Sequence, residues 1–299
     1  RHKGGSSGRA RAEAVPMAAS APGAAEAQEV GLACHPRGAQ PALGYGTAGF
    51  RAAAGCLEHV LYRMGILAAL RSKVLGGKPV GVMVTASHNP EGDNGVKLVE
   101  PMGEMLPVDW EAHATALANA SDDGLAAAIT GLVASLNVDV SSVRAEVIVG
   151  RDTRSSSRTL ALAVCDGVST LQPAVVRSLG ATTTPQLHYV VRCENTNGGY
   201  GVPTLIGYKD KLVAAYAAMV GSAPAPKHYQ PQLTIDCANG VGAIPLRGML
   251  PRLSEAGLSA ELINVGAGVL NEGCGADFVK STQAAPAGAD PSSGGGFVS

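Results

Sequence analysis

Three short runs rich in β-branched residues, at 80–85, 147–149 and 233–235, each run straight into a loop of small and polar residues. Helical periodicity surrounds them. Residues 57–73 place Leu57, Val60, Leu61, Met64, Leu67 and Ala68 at helical spacing, and Gly76-Gly77 closes that pattern. Further helices are expected at 160–171 and near 246–255, and a further strand at 260–263. Buried strands that alternate with helices leave few architectures open: an α/β fold with a mixed or parallel sheet.

Size and composition agree with such a fold. The chain has 299 residues, 46% of them apolar, which is enough for one large domain or two ordinary ones. Aromatics make up only 4%, so Ala, Val and Leu must build the core. A formal net charge of −1 lacks the basic excess of a nucleic-acid binder. No apolar run reaches the roughly 18 to 20 residues of a membrane helix. No secretory signal is recognised, so a cytoplasmic setting is expected. The six cysteines (Cys34, Cys56, Cys165, Cys193, Cys237 and Cys274) form no C-x-x-C pair, which leaves zinc and thioredoxin-like sites without support. An even count leaves disulfides open, but the chain length and the lack of a secretion signal favour reduced thiols. On the same ground the sequon at Asn119 is expected to stay unused.

The ends read differently from the middle. Residues 1–40 are rich in Gly, Ala, Ser, Pro and Arg without a period, and are expected to be disordered. Met17 is the first methionine and the candidate start. A targeting peptide is the alternative, favoured by Arg9 and Arg11 and opposed by Glu13, Glu26 and Glu29. A glycine-rich break at 198–207 suggests a domain boundary. The expected organisation is a first domain over 41–205, a partial second domain over 206–283 and a disordered tail over 284–299.

Chemistry concentrates on Thr85-Ala86-Ser87-His88-Asn89-Pro90, directly after the first buried run. In open α/β sheets, ligands bind beyond the carboxyl ends of strands. A plain strand-to-turn junction, with Ser87 and Asn89 capping amides and Pro90 stiffening the turn, explains the segment by itself. Three other segments shift that balance. Tyr45-Gly46-Thr47-Ala48-Gly49-Phe50-Arg51 is a glycine-spaced loop ending in a forked cation. Asp93-Asn94-Gly95-Val96-Lys97 and Gly150-Arg151-Asp152-Thr153-Arg154 add a Lys and two Arg. Lys97 as a solvated amine and Arg151 paired with Asp152 are the simpler accounts of each. Taken together, four cations on loops around one Ser suit phosphoryl transfer, where positioning and charge stabilisation supply most of the rate.

These segments, with Val99-Glu100-Pro101-Met102-Gly103-Glu104-Met105-Leu106, Asp236-Cys237-Ala238-Asn239-Gly240 and Cys274-Gly275-Ala276-Asp277-Phe278-Val279-Lys280, resemble the α-D-phosphohexomutases over residues 41–280. The flank after Lys97 resembles the branch that acts on N-acetylglucosamine phosphates; phosphoglucomutases and phosphomannomutases are the alternative. The resemblance implies a mixed-sheet first domain and an incomplete second one. It also implies interconversion of the 6-phosphate and 1-phosphate of N-acetylglucosamine, with an amino-sugar phosphate as partner. Ser87 matches the family's phosphoserine. Arg51, Lys97 and His88 match residues beside the transferred group, with Lys97 a candidate proton shuttle and His88 alternatively an orienter of the loop. Arg151, Arg154 and Asn89 are the expected phosphate- and substrate-binding residues. Family members hold Mg²⁺ with the phosphoserine and three Asp of a D-G-D-x-D-R loop. Here Ser87 is the one metal ligand identified, since no Asp occurs at i and i+2. Expressed as it stands, the chain is therefore expected to be inactive.

Overall fold

The computed structural model describes residues 20–221, 232–286, 288–289 and 296–298. The suspected start at Met17 lies outside them. Helix α1 (Ala24–Cys34) precedes β1 (Phe50–Ala53), α2 (Glu58–Val74), β2 (Val80–Val84) and β3 (Asp93–Val99). Then come α3 (Val108–Asn119), α4 (Leu125–Leu136), β4 (Ala145–Arg151), α5 (Ser157–Ser169), β5 (Ala174–Ala181) and α6 (Thr184–Asn195). A second unit follows with α7 (Leu205–Val220), β6 (Gln232–Asp236), α8 (Ala243–Glu255), β7 (Ser259–Ile263), α9 (Gly275–Thr282) and β8 (Gly296–Val298).

The first sheet runs β1-β3-β2-β4-β5. β3 is antiparallel to both β1 and β2, whereas β2, β4 and β5 are parallel. Pleating sends Val80, Val82, Val84, Val96, Leu98, Val147 and Val149 to one face, where α2 and α5 cover them. Met83, Val99 and Ile148 face the other side and pack with Leu187, Val190 and Val191 of α6. All five residues of β2 are buried, as befits a strand covered on both faces. Helix α2 is enclosed in turn by the sheet, α5 and the outer helices α1 and α3, which is why Val60 through Leu70 show no solvent-facing side. Its contact with α5 is unusually close. A Cβ on Gly65 would stand 2.1 Å from the Val164 carbonyl, and one on Gly167 1.9 Å from that of Tyr62.

Two expectations of disorder need correction. Residues 24–34 form α1, whose stripe of Ala24, Ala27 and Gly31 is buried. The Tyr62 hydroxyl donates to the Ala27 carbonyl at 2.7 Å, and His35 just past the helix bridges Glu58 and Asp166 at 3.2 and 3.1 Å. A stripe of such small residues carries little hydrophobic signal, so composition masked a docked helix. At the other end, Gly296–Val298 pairs in parallel with β6, giving a second sheet of order β7-β6-β8. Helix α7 packs on α6 and α8 and so links the two units.

Candidate active site

β2 delivers the Ser87 loop to the carboxyl edge of the first sheet. Thr85 still pairs with β3, donating its N–H to the Gly95 carbonyl at 3.0 Å. Ser87 then adopts φ 55°, a left-handed conformation that a non-glycine residue occupies at a free-energy cost. Its side chain is exposed. Its N–H donates to Thr85 Oγ1 at 3.2 Å, Asn89 N–H closes a turn on the Ala86 carbonyl at 3.1 Å, and Asn89 Nδ2 donates to Asp93 Oδ2 at 3.0 Å.

A buried carboxylate supports this loop from beneath. Asp152, just past β4, is 3% exposed and accepts from Thr85 Oγ1 at 2.7 Å, Ser157 Oγ at 2.5 Å and the Nε and N–H of Arg154 at 3.0 and 3.1 Å. Arg154, 2% exposed, then reaches under the loop. Nη1 donates to the carbonyls of Pro90 and Asp93 at 2.5 and 2.9 Å, and Nη2 to those of Ser87 and Asn89, both at 2.9 Å. The geometry of Arg154 is thus that of a loop clamp, with both terminal nitrogens taken by backbone, in place of the phosphate contact expected from sequence. It is also Arg154, and not Arg151, that pairs with Asp152; Arg151 Nη1 reaches only the Asp152 carbonyl, at 3.1 Å.

The four cations were expected on loops, and three stand on strands. Arg51 lies in β1 opposite Gly95, Lys97 lies in β3 opposite Met83, and Arg151 ends β4 opposite Val84. The misreading has a local cause: β3 opens with Asp-Asn-Gly, a turn signature that here begins a strand. Gly49, at φ 80°, serves packing at this point, since a Cβ there would meet the Val96 carbonyl at 2.1 Å. Arg51 Nη1 touches Asn89 Oδ1 at 3.4 Å, while its Nε is buried with no hydrogen-bond partner among the described residues. Burial, and then the charge of Arg51, hold the Lys97 ammonium below the ordinary lysine range.

Ser87 and His88 open onto a cleft of about 420 Å³ between the two units, lined also by Thr85, Asp152, Asp236 and Asn271. Arg51, Lys97, Arg151 and Arg154 are not among its lining residues. Thr184 of α6, Gly242 before α8 and Ala276 of α9 lie on its wall, so three helix N-termini present their positive ends to it. His88 is exposed, and no hydrogen bond of its imidazole occurs among the described residues, so its orienting role has no contact behind it. Sequence reading quoted Thr85, Asp152 and Asp236 within its motifs without giving them a place in the site, and missed Asn271. The Asp152/Arg154 pair at i, i+2 was visible, but nothing in the spacing indicated that it faces inward.

Magnesium fits poorly here. The carboxylates nearest the loop are engaged: Asp152 as described, Asp93 by Asn89, and Asp236 by the N–H groups of Gly275 and Ala238 and by Asn264. No group of three or more His, Cys, Asp or Glu placed to hold a metal occurs among the described residues.

Known proteins frame this geometry. The family model described as phosphoglucomutase/phosphomannomutase, alpha/beta/alpha domain I, matches residues 64–125 and 117–202. The phosphoacetylglucosamine mutase of Sus scrofa is 51% identical over 247 residues, 82% of this chain and 45% of that protein. The Aspergillus fumigatus N-acetylphosphoglucosamine mutase in complex with GlcNAc-6P and magnesium superimposes with a TM-score of 0.82 at 43% identity, covering 91% of this chain and 50% of that one. A serine-to-alanine variant of the A. fumigatus enzyme in complex with glucose 1,6-bisphosphate gives a TM-score of 0.84 at 41% identity, over 93% and 51%. The chain spans about half the length of the curated relatives it matches.

Proposed function

This chain belongs to the α-D-phosphohexomutase superfamily, and on that premise we propose that it carries the phosphoryl-donating serine of an enzyme interconverting N-acetylglucosamine 6-phosphate and 1-phosphate. The observation that carries the reading is Ser87 itself: an exposed hydroxyl in a left-handed backbone conformation, held rigidly at the end of a buried strand and facing a cleft onto which three helix N-termini open. Anions are stabilised at such termini, and strained backbone of this kind gathers at reactive sites.

In the proposed cycle, the P–O bond of phosphorylated Ser87 breaks as the sugar hydroxyl takes the phosphoryl group, giving a sugar bisphosphate and a free serine. The bisphosphate turns over and returns its other phosphoryl group to Ser87. The proton of the attacking hydroxyl passes to Lys97, whose lowered pKa raises the share of neutral amine able to accept it, and Lys97 in turn returns a proton to the departing Ser87 oxygen. Arg51 has a buried Nε without a partner and is assigned to the anion on this flank of the loop. His88, Asn89 and Arg151 are assigned to substrate contact, with His88 on the cleft side. Arg154 is assigned to the loop backbone. Magnesium, bound by a relative, would neutralise phosphoryl charge; no step is assigned to it here, because the carboxylates nearest the loop are already engaged and no group of ligands placed to hold a metal occurs among the described residues.

The engaged carboxylates also lead to the proposal that this chain alone turns over poorly. The test is a coupled assay converting N-acetylglucosamine 1-phosphate to UDP-N-acetylglucosamine, with magnesium and sugar bisphosphate in excess. It is run on the chain beside a full-length relative whose N-terminal half has been replaced by this sequence. The replacement should be active and the chain alone inactive. An inactive replacement that folds contradicts the function; a chain alone within about tenfold of the replacement contradicts the account of its site.

A further inference from the structure

We propose that Asn271 is a positioning residue: from the second unit it holds the carbonyls of Ser87 and Asn89, and so aims the loop that presents the phosphoryl group. The inference rests on the reading of Ser87 as the phosphoryl carrier. Asn271 Nδ2 donates to the Ser87 carbonyl at 3.1 Å and to the Asn89 carbonyl at 2.8 Å. These are the two carbonyls that Nη2 of Arg154 takes from the other side. Each therefore uses both acceptor directions of its oxygen, one toward each unit of the molecule. The peptide between Ser87 and His88 is thereby fixed about its own plane. In a trans peptide the N–H points opposite to the C=O, so the His88 N–H is directed away from both donors. No hydrogen bond from that N–H occurs among the described residues. It is a fixed, available donor one residue from the Ser87 side chain, beside a left-handed residue.

The second unit is built to place Asn271. Asn271 is itself left-handed, at φ 60°, and its N–H is tied to the Ala238 carbonyl at 3.0 Å. Asn239 accepts from the N–H groups of Gly266 and Gly268 at 3.1 and 3.2 Å and donates to the Val269 carbonyl at 3.2 Å, which shapes the loop leading to Asn271. Beneath both, Asp236 is 6% exposed and accepts from Ala238 N–H and Gly275 N–H. The Asp236-Cys237-Ala238-Asn239-Gly240 segment, which has no place in the transfer chemistry above, thereby gains a role. It transmits the position of the second unit to the Ser87 loop through one side chain.

Two variants of the full chain test this. Asn271→Gly keeps the left-handed backbone and removes the side chain. Asn271→Asp keeps the shape, removes both donors and sets a negative charge against two carbonyls. Amide hydrogen exchange over residues 86–93 should quicken about tenfold in Asn271→Gly, the scale of a lost hydrogen bond, and further in Asn271→Asp. Amides of β2 and β4 should keep their wild-type rates. With phosphoserine encoded at position 87, its ³¹P resonance and second ionisation should move in Asn271→Gly toward those of a free phosphoserine peptide. Unchanged loop exchange together with an unmoved ³¹P signal would overturn the proposal, as would quickening that extends equally through β2 and β4. Whether Ser87 accepts a phosphoryl group from a sugar bisphosphate is read separately by intact mass. Failure of that reading removes the carrier and leaves the exchange result on Asn271 to stand or fall alone.

Discussion

The two units of this molecule share one grammar, strand to polar loop to helix, and use it for opposite ends. In the first unit the central strand β2 is sealed on both faces, and the largest fully buried side chains include Tyr62, Phe50, Leu67 and Met83. Even its cations are internal: Lys73 donates to three carbonyls and Arg63 to the carbonyls of Ala118 and Ala120 and to Asp122. Among the described residues the second unit has a buried apolar cluster of Val213, Met249 and Leu253, and it exposes Ile206, Leu212, Met219 and Ile244. Its order rests on the hydrogen bonds of Asp236 and Asn239. The contrast assigns the jobs: the first unit is a stiff platform that can hold Ser87 in a strained conformation, and the second is a lighter arm that reaches the loop. Local opening is accordingly expected in the second unit first.

The strongest blow to the platform is Arg154→Leu. It leaves Asp152 buried without its cation and removes one donor from each of four loop carbonyls, and should destabilise the first unit by about 3–5 kcal/mol in urea unfolding. Next comes a matched pair. Leu67→Ala in the sealed core should cost about 2–5 kcal/mol, whereas Leu253→Ala in the shallow cluster should cost clearly less. Equal values would erase the contrast between the units. Acid should then act on the platform through His59, which is 2% exposed and has a pKa pushed down from 6.5 to about 4, by burial first and by Arg63 second. Between those values the unfolded chain binds more protons than the folded one. Stability is therefore full above pH 6.5 and falls by about 3 kcal/mol as pH drops to 4. His59→Phe should flatten that slope, which pH-dependent urea titration would show. The second unit has no histidine among its described residues and should lack this response. Smallest in stability is Ser87→Ala, at an exposed position, expected within about 0.5 kcal/mol of wild type while it abolishes phosphoryl transfer.

How much of this was legible beforehand follows from what each residue had to do. The runs at 80–85, 147–149 and 233–235 are strands, and the helix expected over 57–73 is α2; for β2, β4 and α2 this is because near-complete burial forces an apolar pattern that composition reveals. β5 escaped notice because it lies at the sheet edge and alternates weakly, and α1 because its buried stripe is alanine and glycine. At the site, Ser87 stood out through its place after a buried strand and through the family resemblance. The supports did not. A buried Arg154 reads like an exposed one, and Asn271, 184 residues from Ser87, has no local signature at all. Second-unit contacts to the loop arise from tertiary packing, which spacing along the chain does not encode.

The central claim, that Ser87 is the phosphoryl carrier, is tested most directly by phosphopeptide mass spectrometry. The sample is the full-length relative bearing this sequence as its N-terminal half, taken during turnover with glucose 1,6-bisphosphate and N-acetylglucosamine 6-phosphate. The account predicts one phosphoryl group on Ser87, absent in Ser87→Ala together with activity. Turnover with Ser87 unmodified, or with the label on another residue, would contradict it.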